Sequence, residues 1–134
     1  MKTRSRDARW GEEDDAVTRP IIGAAIEVHR HLGPGLLESV YERCLCDELE
    51  RRSIPFVRQA RVPVFYKDRN LDCELFIDIL FPGLVVVELK AVEKVLPIHE
   101  AQLLTYMKLT GLSRGLLLNF NEILLKDGIT RRRL

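Results

Sequence analysis

Apolar residues recur along this chain with two different periods. Ile22, Ala25, Ile26 and His29 repeat at helical spacing and predict a helix with one apolar face. It starts at Thr18, with Pro20 in the first turn, where a missing N–H costs nothing. Gly33-Pro34-Gly35 breaks it. Leu37, Val40, Tyr41, Cys44, Leu45 and Leu49 mark a second helix over 36–52, ended by Ser53-Ile54-Pro55. The period then shortens to two. Residues 62–66 alternate around Pro63, which assigns them to an edge or bulged strand. A turn at 67–70 leads to a strand over 71–81, and Pro82-Gly83 leads to another over 84–90. Val85, Val86 and Val87 run without a break, as in a strand covered on both faces. These three strands read as an antiparallel meander. Pro97 opens a helix to 110, stopped by Gly111. Residues 114–119 form a buried strand, and 123–126 and 129–133 are short strands or an irregular tail. The order is α-α-β-β-β-α-β with a possible last strand. It predicts an α/β (α+β) domain whose mixed central sheet is flanked by helices.

Charges interrupt this pattern in the meander. Asp78, Glu88 and Lys90 stand in apolar strands, and an unpartnered buried charge costs several kcal/mol or more. Glu88 and Lys90, two apart, share a face. With a two-residue Pro82-Gly83 loop Asp78 would oppose Val87; with a third loop residue, Leu84, or a bulge, it opposes Glu88. Facing carboxylates repel, and a divalent cation between them reverses the sign. Mg²⁺ is held by one or two carboxylates plus waters and substrate oxygens, which suits phosphodiester hydrolysis. Lys90 would orient the attacking water or neutralise phosphate charge. Glu38 borders the apolar stripe of the second helix and can serve the metal's outer shell; alternatively it only complements the helix dipole. His99, Gln102 and Tyr106 fall on one stripe of the third helix and are candidate substrate contacts. For His99 a structural role competes and leads. His29 and His31 read as structural.

The ordered set resembles the PD-(D/E)XK nuclease superfamily. Asp78 matches its Asp and Glu88-Leu89-Lys90 its E-x-K, while Gln102 to Tyr106 is similar to the Q-x-x-x-Y motif of the RecB-type branch. Gly35-Leu36-Leu37-Glu38-Ser39-Val40-Tyr41 resembles the naming motif of the small bacterial GxxExxY proteins, with further similarity at 21–35, 87–92, 99–106 and 115–120. Ile77 stands where the superfamily usually has Pro before the Asp. The resemblance implies a restriction-endonuclease-like α-β-β-β-α-β core. It implies catalytic Asp78, Glu88, Lys90 and Glu38, and metal ligation by Asp78, Glu88 and the main-chain carbonyl of Leu89. It further implies Mg²⁺ or Mn²⁺ as cofactor and nucleic acid, DNA in the first place, as substrate.

Composition narrows the rest. The chain has 134 residues, 46% of them hydrophobic and 31% charged, enough for one domain with its own core. Residues 1–15 mix charges around Trp10 and read as a flexible arm, with docking of Trp10 on the body as the weaker alternative, leaving 16–134 as the domain. Lys and Arg number 21 against 20 acids, so any nucleic-acid-binding surface must be local. Arg131, Arg132 and Arg133 are either a solvated end or a phosphate-contacting patch. No apolar run approaches the ~20 residues of a membrane span, and the N-terminus is too polar for a signal peptide. Three cysteines, an odd count, point to reduced thiols in the cytoplasm. Besides the nuclease, two readings stay open. One is a silent nucleic-acid- or protein-binding module that keeps the fold. The other is a homodimer joined through the edge strand near 62–66.

Overall fold

The structure, a computed structural model, describes residues 5–134, with only the backbone of Ser5. In chain order the elements are β1 (Ser5–Arg6), α1 (Glu12–Leu32), α2 (Glu38–Arg51), β2 (Val57–Tyr66), β3 (Arg69–Phe81) and β4 (Val85–Lys90). They continue with α3 (Pro97–Thr110), β5 (Arg114–Asn119), a 3-10 turn (Leu125–Gly128) and β6 (Ile129–Arg133). The strands form one mixed sheet in the order β1-β6-β5-β4-β3-β2. β2, β3 and β4 are the antiparallel meander; β5, reached through α3, returns parallel to β4. This is the α/β architecture expected, with a restriction-endonuclease-like core.

Two apolar layers flank the sheet. Val85, Val87 and Leu89 of β4 face Ala24 and Val28 of α1 and Leu45 and Leu49 of α2. Val86 lies on the other side, with Leu103 and Met107 of α3 and Leu117 of β5. The unbroken Val85–Val87 run is therefore a strand covered on both faces. β2 is an edge strand, and its register with β3 shifts between Pro63 and Phe65, where proline cannot donate to the ladder.

The chain start departs from expectation. α1 begins at Glu12, not Thr18, and Pro20 lies inside it. Glu12, Glu13, Asp14 and Asp15 crowd its first turn, where acids complement the helix dipole, and the Gly11 N–H donates to Asp14 Oδ2 at 2.9 Å. The described part of the expected flexible arm is docked: β1 pairs with β6, and Trp10 is buried, its Nε1 donating to Asp15 Oδ1 at 2.9 Å. Residues 1–4 lie outside the described residues. The tail corrects the reading of its arginines as solvated or phosphate-binding. Arg131 is buried, Arg132 pairs with Glu100, and Arg133 Nε lies 3.1 Å from Asp14 Oδ1, which also takes Arg114 Nε at 2.6 Å. Burial alone would raise the Asp14 pKa, but the Gly11 amide and both arginines bring it below the usual carboxylate value. A charge run looks solvated in sequence when its partners sit a hundred positions away. Residues 123–126 are not a strand; the chain turns there.

Candidate active site

The site begins where the β3–β4 ladder ends. Its pairs are Phe81↔Val85, Leu80↔Val86 and Ile79↔Val87, so 82–84 is a three-residue loop and the same register sets Asp78 opposite Glu88. The odd-length loop is the condition for one shared site. At Asp78 the carboxylate replaces the strand: Oδ2 accepts the Leu89 N–H at 2.8 Å. The strand also changes its buried side here. Ile79 and Phe81 pack under α1 and α2, whereas Ile77 packs under α3. Gln59, between the β2–β3 pairs Arg58↔Ile79 and Ala60↔Ile77, has φ 49°, a left-handed conformation that marks the same irregularity.

Glu88 projects from β4 into this fork and is 5% exposed. Among the described residues its Oε1 finds no hydrogen-bond partner. Burial first, then the negative charge of Asp78, push its pKa up to about 9. Glu38, the first residue of α2, is raised by burial and by Asp78, while Lys90 opposes the shift. From α3, Tyr106 is raised by burial and by Glu88; Gln102 Nε2 donates to its hydroxyl at 3.1 Å, and that contact lowers it. Four elements thus bring Glu38, Asp78, Glu88, Lys90, Gln102 and Tyr106 together. His99 caps α3 instead: its Nδ1 accepts the Leu96 N–H at 3.0 Å. The Leu89 side chain is fully buried under α1 and α2, so only its main chain serves the fork.

Sequence reasoning missed Glu42, Gln59 and Arg58. Gln59 Nε2 donates to Glu42 Oε1 at 2.8 Å and lies 3.4 Å from Asp78 Oδ1, while Arg58 Nε donates to Glu42 Oε2 at 2.7 Å. Glu42 stands one turn beyond Glu38, a signal that was available; Gln59 carries none. The G-x-x-E-x-x-Y stretch builds the approach. Gly35 has φ 95°, which L side chains rarely adopt, and its N–H donates to Asn121 Oδ1 at 3.1 Å. The Tyr41 hydroxyl donates to the Gly33 carbonyl at 2.5 Å and accepts the Leu36 N–H at 3.1 Å. Its ring stacks on Phe120 with centroids 4.6 Å apart. The clamped turn starts α2 at the point that delivers Glu38 to the fork.

The donor set fits a hard divalent cation. No three His, Cys, Asp or Glu side chains among the described residues converge into a metal cage. Mg²⁺ needs no such cage, being content with one or two carboxylates plus waters. A buried carboxylate oxygen without a partner, facing a second carboxylate, is what such an ion satisfies.

A family model of the PD-(D/E)XK nuclease superfamily matches residues 15–132. The chain belongs to that superfamily. No curated protein and no solved structure matched it. No helix among the described residues is long and apolar enough to cross a membrane.

Proposed function

We propose that this protein is a divalent-metal-dependent nuclease of the GxxExxY type that hydrolyses phosphodiester bonds of DNA in the cytoplasm. The observation that carries the reading is the buried, partnerless Glu88 oxygen facing Asp78 beside Lys90. Asp78, Glu88 and the Leu89 carbonyl would hold Mg²⁺ or Mn²⁺, which supplies Lewis acidity and a bound water of lowered pKa. Lys90 offers a positive charge to the scissile phosphate, and Glu38 receives or relays a proton at the mouth of the fork. Gln102 and Tyr106 present hydrogen-bond donors to the phosphate from α3, with His99 beside them at the helix start. Gln59 keeps Asp78 in place by linking it to Glu42.

The test is cleavage of single-stranded, duplex and branched DNA with Mg²⁺, Mn²⁺ or chelator. Asp78→Ala and Lys90→Ala should each lower the rate at least a hundredfold, in line with loss of an electrostatic or proton-transfer group. Equal rates in these variants refute the assignment. A silent binding module is the second reading: burial and the Asp78 charge push the Glu88 pKa up to about 9, and a proton held there would satisfy the pair without any cation. That reading predicts binding without turnover and indifference to chelator.

A further inference from the structure

β2 and β3 pair from Val57↔Leu80 out to Tyr66↔Arg69, but β4 covers β3 only from Ile79 to Phe81. The outer part of this hairpin is therefore a two-stranded ribbon that runs past the sheet. It exposes Phe65, Tyr66, Leu71 and Phe76, with Tyr66 at 61%. An isolated two-stranded hairpin is marginally stable in water, and these side chains add apolar surface that stays exposed among the described residues.

The tip has its own chemistry. Lys67 and Asp68 form a two-residue turn with φ 49° and 63°. Beside it lies a cavity of about 260 Å³ lined by Tyr66, Lys67, Arg69 and Leu71. The Lys67 ammonium lies 5.4 Å from the Tyr66 ring centroid. Among the described residues neither Lys67 nor Arg69 has a carboxylate within 4.0 Å, whereas Arg61, further down the ribbon, lies 3.6 Å from Glu74. Tyr66, exposed and with the Lys67 ammonium over one face of its ring, and the second unpaired cation Arg69 match one nucleotide: the base stacks on the other face of the ring and the phosphate meets the cations. The ribbon leads from this cavity to the fork, since β3 runs from Arg69 to Asp78, about 30 Å at roughly 3.3 Å per residue.

We propose that the β2–β3 ribbon is an arm for single-stranded nucleic acid, holding an unpaired nucleotide in the Tyr66–Lys67–Arg69 cavity while the strand runs toward Asp78 and Glu88. The inference rests on the nucleic-acid reading of the site, but not on turnover there. Stacking tolerates any base, so the arm selects unpaired strands over sequence.

The experiment measures binding of fluorescent single-stranded and duplex oligonucleotides by the full chain in chelator, across a salt series, with sedimentation on the same samples. Tyr66→Ala should weaken single-strand binding about tenfold or more, the scale of one lost base stack. Tyr66→Phe should retain the affinity. Joint Lys67→Gln and Arg69→Gln substitution should flatten the log–log salt slope by about 1.4, roughly 0.7 per cation. Unchanged single-strand affinity in Tyr66→Ala overturns the proposal, as does preference for duplex. A Tyr66→Ala change in sedimenting mass with no change in binding also overturns it, because the ribbon then joins two copies of the chain. An inactive wild type whose binding depends on Tyr66 refutes the nuclease alone. An active wild type whose Tyr66→Ala variant binds equally refutes the arm alone.

Discussion

Glu88 makes folding stability depend on pH in a direction opposite to most carboxylates. Its folded pKa is pushed up from 4.5 to about 9, by burial first and by Asp78 second. Below pH 4.5 folded and unfolded chains both carry the proton, and the group contributes no difference. Between 4.5 and 9 the folded chain keeps the proton that the unfolded chain releases, so stability falls as pH rises. The slope is at most about 1.4 kcal/mol per pH unit. Over the window this reaches about 6 kcal/mol, and by pH 7 about 3 kcal/mol, as an upper bound. Glu88→Gln keeps the shape and removes the titration. Urea unfolding in chelator from pH 5 to 9 should therefore give curves that meet near pH 5 and diverge above it, with the variant several kcal/mol more stable at pH 9. The difference between the two curves isolates Glu88 from Glu38, which also titrates high. Mn²⁺ should close the gap by stabilising the wild type alone, by about 2.7 kcal/mol at a hundredfold excess over Kd, and its binding should release a proton. Parallel curves for wild type and variant across the range refute the reasoning.

Further expectations concern the scaffold. Tyr41→Phe removes the hydroxyl that joins Gly33 and Leu36; it should cost about 1–3 kcal/mol in urea unfolding and slow cleavage by loosening Glu38. Gly115→Ala would drive its Cβ into Met107 Sδ and Leu103 under α3, an overpacking cost of about 1–3 kcal/mol, visible as a lowered Tm. Cys46 is buried and its thiol is pushed up to about 11, by burial first and by Glu42 second, while Cys73 is exposed. A thiol reagent at neutral pH should label Cys73 in the folded chain and reach Cys46 only on unfolding, as mass spectrometry of peptides would read.

The sequence by itself determined the order of the elements from α1 to β5, the double-sided burial of β4, the bulged edge strand at Pro63 and the presence of Asp78, Glu88 and Lys90 in apolar strands. Each follows from local rules: the period of apolar residues, the geometry of proline and glycine, and the cost of a charge among aliphatic neighbours. It also reduced the Asp78–Glu88 question to one variable, the parity of a loop. The tertiary structure decided that parity, because whether Leu84 joins the turn depends on how β3 and β4 pack between two helical layers. It also decided which charges are free. Asp14 and the C-terminal arginines were indistinguishable from solvated residues until β1, α1 and β6 met. Gln59 gained meaning only when β2 set it between Glu42 and Asp78. Period and turn chemistry act over a few residues and are written locally. Pairing of charges and aiming of side chains act through space, and only the folded chain brings those partners within reach.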